Sequence, residues 1–535
     1  MQRMSSRVDV NDSEYKRNRA HNLALVEELH QRQNACRYDR PERDLQRIAR
    51  QNKLFVRERI DCLLDPGSPF LEFSTLAANQ AYDGEVPAAS VVCGLGIVSG
   101  REVIVRADDS SIKGGAYYPL SVKKIVRTLD IAIENRLPIV HLCDSAGAFL
   151  PLQSGLFADK YFGGRSFRNQ CVLSKLGIQQ VSVVLGHCTA GGAYVPALSD
   201  YSIMVRGTGG IFLGGPPLVK AATGEVVTAE ELGGADVHTQ ISGTADYAAD
   251  SEEEAIAKAR DIVSTFARTP KVEVDWDEPE DPYYDPDELH GILPIDGKTQ
   301  YDVREVIARL VDGSRFQEFQ PDYGTTLVCG YARVHGYKVG ILGNNGVLFN
   351  DSSLKAAHFI THCNNSRTPL IFLQNITGYM VGKHYEELGI TKDGAKMIMA
   401  QACADVPKFT VIVGGSYGAG NYGMCGRAYD ARFLWTWPQS RISVMGADQA
   451  AGVLADLKVA QLGRQGQTIS SQEVEAIRRP IQEKYETESN PYFATSELWD
   501  DGILDPVDTR NALGMGLAAS LNAPIDEPRY GVLRL

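Results

Sequence analysis

The chain has 535 residues, 44% of them apolar and 23% charged, with a formal net charge of −13. That length exceeds a single compact core, so two or more domains are expected. The acidic balance argues against a nucleic-acid groove, which needs a basic surface to neutralise phosphates.

The opening stretch "MQRMSSRVDV" lacks the apolar segment of a signal peptide, and Asp9, Asp12 and Glu14 do not suit an organelle presequence. No apolar run approaches the length of a membrane span, so the chain reads as cytoplasmic. Ten cysteines occur without a C-x-x-C pair. Neither a zinc ribbon nor a disulfide framework is signalled, no metal site is expected, and buried free thiols are the simpler reading. Residues 1–60 are mostly helical in pattern, "NLALVEELHQR" being the clearest stretch, and form an arm ahead of a first domain at 61–271. This domain alternates short β-branched runs with amphipathic helical ones, the pattern of an α/β fold. The acidic, Pro-rich "VEVDWDEPEDPYYDPDEL" at 272–289 reads as an extended linker. A second α/β domain fills 290–535.

The second domain repeats the first. "LLDPGSPFLEF" returns as "LVDGSRFQEF", "VVCGLGIVSG" as "LVCGYARVHG", and "NRLPIVHLCDSAGAF" as "SRTPLIFLQNITGYM". Last, "VSVVLGHCTAGGAY" returns as "FTVIVGGSYGAGNY", pairing Gly191-Gly192 with Ala419-Gly420. Ordinary strand-glycine-helix punctuation explains each match but not four in the same order, so the halves are read as an internal duplication.

A strand that ends in Gly-Gly and feeds a helix offers unpaired backbone N–H groups, and the missing Cβ lets a ligand oxygen approach. The partial positive charge there favours a developing anion. Tight packing of helix on strand is the commoner cause of one such turn; two at equivalent places suggest two anions stabilised in one reaction. Lys113 beside Gly114-Gly115, and Gly214-Gly215 with Lys220, would suit a phosphate-bearing thioester, although a solvated lysine explains either. A second pattern competes: Gly414, Ser416 and Gly418 spell the G-x-S-x-G of a hydrolase nucleophile elbow. A hydrolase of that kind needs a histidine after the serine, and the last histidine here is His384.

"VKAATGEVVTAEELGGADVHTQISG", "CTAGGAYVPALSD", "LQNITGYMVGKHYEELGI" and "GGSYGAGNYGMCGRAYDARFLW" together resemble the carboxyltransferase subunit of biotin-dependent acyl-CoA carboxylases, in the methylcrotonyl-CoA and geranyl-CoA branch. The resemblance covers nearly the whole chain. It implies two tandem crotonase-like (ββα superhelix) domains, a hexameric ring, and active sites between the N-domain of one subunit and the C-domain of its neighbour. It assigns the amides of Gly191 and Gly192 to the acyl-CoA enolate and those of Ala419 and Gly420 to the ureido oxygen of carboxybiotin. Thr377, Gly378 and Tyr379 fall on the biotin side; Ala146, Gly147, Phe149 and Gly163 fall near the acyl group. The chain lacks an A-M-K-M biotin-attachment motif, since "GAKMIMA" around Lys396 sits in a helical run, and it has no evident ATP-binding loop. Biotin, ATP and bicarbonate are therefore expected on a partner alpha subunit carrying the carboxylase and biotin-carrier functions, with the coenzyme A thioester as substrate here.

The usual methylcrotonyl pattern reads roughly "DSGGA-LPRQ"; this chain has "DSAGAFLPLQ", and "YFGGR" places Gly163 where an aromatic residue usually stands. A longer, more apolar acyl pocket follows, which favours geranyl-CoA, with 3-methylcrotonyl-CoA as the alternative; loop drift would leave the same trace. A hydrolase using Ser416, a non-catalytic acyl-CoA-binding protein and a sodium-pumping decarboxylase subunit are the remaining readings.

Overall fold

The computed structural model describes every residue except 269, 297, 298, 466, 468, 469 and 535. Its frame is two eight-stranded mixed sheets that share the topology of seven strands and differ in the edge strand each adds, Tyr247–Ala249 in the first and Gln2–Arg3 in the second. The first is built from β2 (Leu71–Phe73), β3 (Val91–Val98), β4 (Arg101–Asp108), β5 (Ile139–Ser145), β6 (Gln180–Thr189), β7 (Tyr201–Val205) and β9 (Tyr247–Ala249), in that order, with β8 (Gly210–Phe212) beside the end of β6. The second runs β1 (Gln2–Arg3), β10 (Arg315–Phe319), β11 (Leu327–Val334), β12 (Tyr337–Asn344), β13 (Leu370–Ile376), β14 (Lys408–Tyr417) and β15 (Phe433–Thr436), with β16 (Arg441–Ser443) beside the end of β14. This is the duplicated α/β, crotonase-like arrangement.

Local chemistry explains why the copies match. Each sheet opens with an antiparallel hairpin, β3–β4 and β11–β12. Its two turn residues both take positive φ: Ser99 at 48° and Gly100 at 69°, His335 at 48° and Gly336 at 82°. That is the two-residue turn whose twist suits a hairpin, and it accounts for the repeated glycine. The following strands pair in parallel through helical crossovers and are covered on both faces, so they read as unbroken apolar runs. The register of β5 on β6 slips between Cys143 and Ser145, and that of β13 on β14 slips at the equivalent place, between Gln374 and Ile376. Beyond the slip the end of each central strand pairs with an extra short strand, β6 with β8 and β14 with β16, just before the glycine turn.

The halves share one apolar core, in which the rings of Phe73 and Phe433 lie 6.2 Å apart and Phe433 stacks on Trp435 at 5.1 Å. An ion pair fastens the edge of this contact. Arg127, on the helix Pro119–Glu134, donates Nε and Nη2 to the two carboxylate oxygens of the buried Asp501, each at 3.0 Å. The long helix Ser13–Tyr38 lies against the second half: Asn22 Nδ2 donates to the carbonyls of His290 and Leu293, both at 2.8 Å. The acidic segment 272–289 is laid along the same half, its Asp277 N–H bonded to the Gly336 carbonyl. Among the described residues no helix is long and apolar enough to cross a membrane.

Candidate active site

The end of β6 turns at Ala190, which takes φ 54°, into a short 3-10 segment Ala190–Ala193 and then the helix Tyr194–Ala197. The left-handed residue is thus an alanine, and neither glycine that follows it has positive φ. Packing does not call for them either. A Cβ on Gly192 would meet nothing within 4 Å, and one on Gly191 would touch only the Phe167 ring, at 3.5 Å. The two glycines leave room for something other than the chain itself.

That room is an apolar cavity of about 510 Å³ lined by Gly191 and Gly192. Val122, Ile125 and Leu129 of the helix Pro119–Glu134 form one wall; Gly163, Gly164 and Phe167 of the helix Gly163–Lys175 form the other. At the floor Tyr117 donates to Asp108 at 2.9 Å, and Arg106 pairs with the same carboxylate at 2.9 Å. His141 beside them is held far below its ordinary pKa by burial and by the Arg106 charge, so it is neutral. The lowered pKa makes His141 a weak proton acceptor, and the Asp108 carboxylate is already held by Tyr117 and Arg106.

A second, polar cavity of about 410 Å³ is lined by Thr189, the last residue of β6. Gly114, Ala146 and His187 also line it, together with Arg47 and Lys53 from the N-terminal arm. Lys53 Nζ reaches Asp144 at 2.9 Å, and Arg59 reaches the other oxygen of that carboxylate at 3.0 Å. Burial alone would raise the Asp144 pKa, but Arg59 and Lys53 outweigh it and hold the group below the usual carboxylate range. This cavity thus carries Arg47, and Lys53 paired with Asp144, and it lies next to the apolar cavity behind the glycine turn.

The other residues singled out in the first half are placed as follows. Gly115 and Gly147 take φ 73° and 85°, and a Cβ on them would lie 2.3 Å from the Asp144 carbonyl and 3.0 Å from that of Thr189. They are glycines because strand ends pass close by. Phe149 turns away from the apolar cavity and stacks on Tyr118 at 4.4 Å. Lys113 pairs with Glu85 at the surface, at 2.6 Å. Gly214, Gly215 and Lys220 lie on the segment after β8, outside both cavities, beside the exposed Leu213 and Leu218. Arg47 and Lys53 escape a reading of the sequence, since nothing in the arm's helical pattern indicates which cavity its end will reach.

In the second half β14 ends at Tyr417, and Gly418, at φ 55°, opens the helix Gly418–Gly423. Ala419 is exposed, whereas Gly420 is buried, and a Cβ on it would fall 2.5 Å from Ile376 Cγ1 and 3.3 Å from Gly378 Cα. Here close packing does require the glycine. Gly378, at φ 135°, is brought against it; Thr377 is exposed beside Gly378, and the half-buried Tyr379 lies under Gly423, with its hydroxyl 3.7 Å from Met397 Sδ. Ser416 is buried and donates to Gln374 Oε1 at 2.7 Å, with no histidine among its hydrogen-bond partners. It is no hydrolase nucleophile. Lys396 lies within the helix Ile390–Ala402 and pairs with Asp393 at 2.9 Å, unlike a biotin-bearing lysine on an exposed turn.

The chain matches the family model described as carboxyl transferase domain over residues 48–530. The beta1 subunit of the biotin-dependent 3-methylcrotonyl-coenzyme A carboxylase of Mycobacterium tuberculosis is 53% identical over 511 residues, covering 96% of this chain and 97% of the relative. The mitochondrial methylcrotonoyl-CoA carboxylase beta chain of Dictyostelium discoideum is 51% identical over 531 residues, covering 99% and 90%. The crystal structure of the P. aeruginosa geranyl-CoA carboxylase beta subunit superposes with a TM-score of 0.88 at 41% identity, covering 99% of both chains. The chain belongs to the carboxyl transferase family, as the carboxyltransferase (beta) component of a biotin-dependent acyl-CoA carboxylase. Its reaction is the transfer of a carboxyl group to an acyl-CoA, in the branch that holds the methylcrotonyl-CoA and geranyl-CoA enzymes.

Proposed function

We propose that this chain carboxylates the γ carbon of a branched α,β-unsaturated acyl-CoA, with 3-methylcrotonyl-CoA as its main substrate. The observation that carries the reading is the Gly191–Gly192 pair, which opens onto an apolar cavity and which packing does not require. Loss of a γ proton spreads charge through a dienolate to the thioester oxygen, and the Gly191 and Gly192 amides stabilise that oxygen without a side chain. Arg47 and Lys53 sit where the polar part of coenzyme A would lie, while the cavity walls exclude water from the acyl group. Ala419 and Gly420 present the equivalent amides to the ureido oxygen of biotin, with Gly378 shaping the approach. Biotin, carried and carboxylated by a partner alpha subunit at the expense of ATP and bicarbonate, supplies the carboxyl group and the base. A hexameric ring, pairing the first half of one copy with the second half of the next, would cover the exposed Leu213 and Leu218 near one turn and Val444 and Leu457 near the other.

The preference for 3-methylcrotonyl-CoA rests on relatives of 51–53% identity that carry that name, against 41% for the geranyl-CoA enzyme. Geranyl-CoA stays as the second reading because Gly163 and Gly164 leave the wall of the apolar cavity open. Gly164 is the cleaner probe of the two: a Cβ there meets nothing within 4 Å, whereas one on Gly163 would press on the Leu156 carbonyl at 3.0 Å. The test is turnover of an acyl-CoA panel by the chain reconstituted with its alpha subunit, ATP and bicarbonate. Turnover of 3-methylcrotonyl-CoA is expected, with none from the chain alone. Gly164→Phe should then lower kcat/KM at least about tenfold for geranyl-CoA, in line with an overpacking cost of about 1–3 kcal/mol, and leave 3-methylcrotonyl-CoA nearly unchanged. Equal losses would point to damage to the fold, and no loss to a cavity that does not hold the acyl chain.

A further inference from the structure

The serine of the elbow-like motif has a use that the reaction outlined above leaves unassigned. Its hydroxyl is the middle of a directed chain of hydrogen bonds. Asn421 Nδ2 donates to Ser416 Oγ at 2.8 Å, Ser416 Oγ donates to Gln374 Oε1 at 2.7 Å, and Gln374 Nε2 donates to the Met424 carbonyl at 2.7 Å. Ser416 and Gln374 are fully buried. Asn421 lies in the middle of the helix Gly418–Gly423, directly after Gly420, and Met424 caps its far end, so the chain ties the middle and the C-terminal end of that helix to β13 and β14. Bonds that all point one way strengthen one another in a low-dielectric interior. The place of the Asn421 amide is reserved as well: a Cβ on Gly426 would fall 1.8 Å from its Oδ1.

The other half shows that the fold does not need this network. The register slips align Gln374 with Cys143 and Ser416 with Cys188, and the turn that follows aligns Asn421 with Ala193. Cys143, Cys188 and Ala193 all lie in one buried apolar cluster. The same strand-turn-helix is therefore built once on thiols and a methyl group and once on an amide–hydroxyl–amide chain. The second holds the turn through amide and hydroxyl hydrogen bonds of 2.7–2.8 Å.

We propose that Ser416, with Gln374 and Asn421, is a positioning residue for carboxyl transfer: it fixes the Ala419 and Gly420 amides on the biotin side of the site. The proposal rests on the reading that those amides hold the ureido oxygen. Oxyanion donors act only within a narrow geometry, and a displacement of about 1 Å can cost about a hundredfold in rate.

The test uses the complex reconstituted with the alpha subunit. Ser416→Ala should lower kcat about tenfold to a hundredfold and leave KM for the acyl-CoA within about twofold, because the acyl side is untouched. The triple variant Q374C/S416C/N421A carries the residue set of the other half; it should assemble normally and show the same loss of kcat. Ala419→Pro removes one amide and separates the two ideas. If Ala419→Pro is slow but Ser416→Ala and the triple variant run at the wild-type rate, the positioning role is overturned and the amide reading stands. A wild-type rate in Ala419→Pro would overturn both. Failure of Ser416→Ala and the triple variant to assemble would assign the network to folding and overturn the proposal.

Discussion

Replacing Gly192 by Val is expected to lower carboxyl transfer about a hundredfold to a thousandfold while the protein folds and assembles normally, the loss typical of one oxyanion donor. The argument has two parts. A Cβ at this position meets no atom within 4 Å, so the fold itself has room for a side chain. The room in question is the apolar cavity, and under the proposed reading a β-branched side chain there would occupy the approach of the thioester oxygen and disturb the amide beside it. The measurements are kcat with a saturating acyl-CoA and the size of the assembled complex. Near-normal turnover in an intact complex would show that the turn plays no part in the chemistry.

The largest effect on stability is expected from Arg127→Ala. Besides its two bonds to Asp501, Arg127 Nη2 donates to the Arg432 carbonyl at 2.8 Å, so its loss strips donors from the second half. Asp501 is fully buried, and Arg427 also reaches it at 2.8 Å. Burial would raise its pKa, yet Arg127 and Arg427 bring it down to about 2. Removing one partner of such a pair costs about 3–5 kcal/mol, because a buried charge is left poorly compensated. A large drop in the urea midpoint should follow, with partial recovery in Arg127→Lys, which cannot form the two-pronged contact. The pH dependence has a definite sign. A carboxylate whose folded pKa is depressed stabilises the fold above its unfolded pKa of about 3.9, and that contribution is lost as the pH falls toward 2. Arg127→Ala should flatten this acid limb; an unchanged midpoint and acid limb would count against the ion pair as a fastening between halves.

Much of the architecture could be read from the sequence because its punctuation is steric. Gly100 and Gly336 are fixed by hairpin turns with two positive φ values, and such positions leave a regular trace in any repeat. The register slips at Cys143 and Gln374 leave no such trace, since the residues there share no chemistry. Glycines proved ambiguous. Gly192 is free of packing demands, whereas Gly420, its counterpart, is required by Ile376, and the two look alike in the sequence. Phe149 and Lys113 lie in segments close to the cavities, but side-chain direction decides their partners, Tyr118 and Glu85. The polar cavity was the least legible part, because Arg47 and Lys53 reach it from a helical arm some sixty residues from the nearest glycine they flank, Gly114.

The helix Ser13–Tyr38 carries a consequence for how the chain is made. Its Leu29 and Cys36 are buried with Leu76, Tyr492 and Ile503, and its Asn22 bonds to carbonyls at 290 and 293. A ribosome working at about 5–20 residues per second reaches Ile503 roughly half a minute to a minute and a half after it has made Tyr38. Through that interval Leu29 and Cys36 have Leu76 of the first half beside them but lack Tyr492 and Ile503. The nascent chain therefore presents a half-covered helix that waits for the last part of the polypeptide. Chaperone engagement during synthesis should centre on this helix, and a release of bound chaperone should coincide with completion of the C-terminal segment.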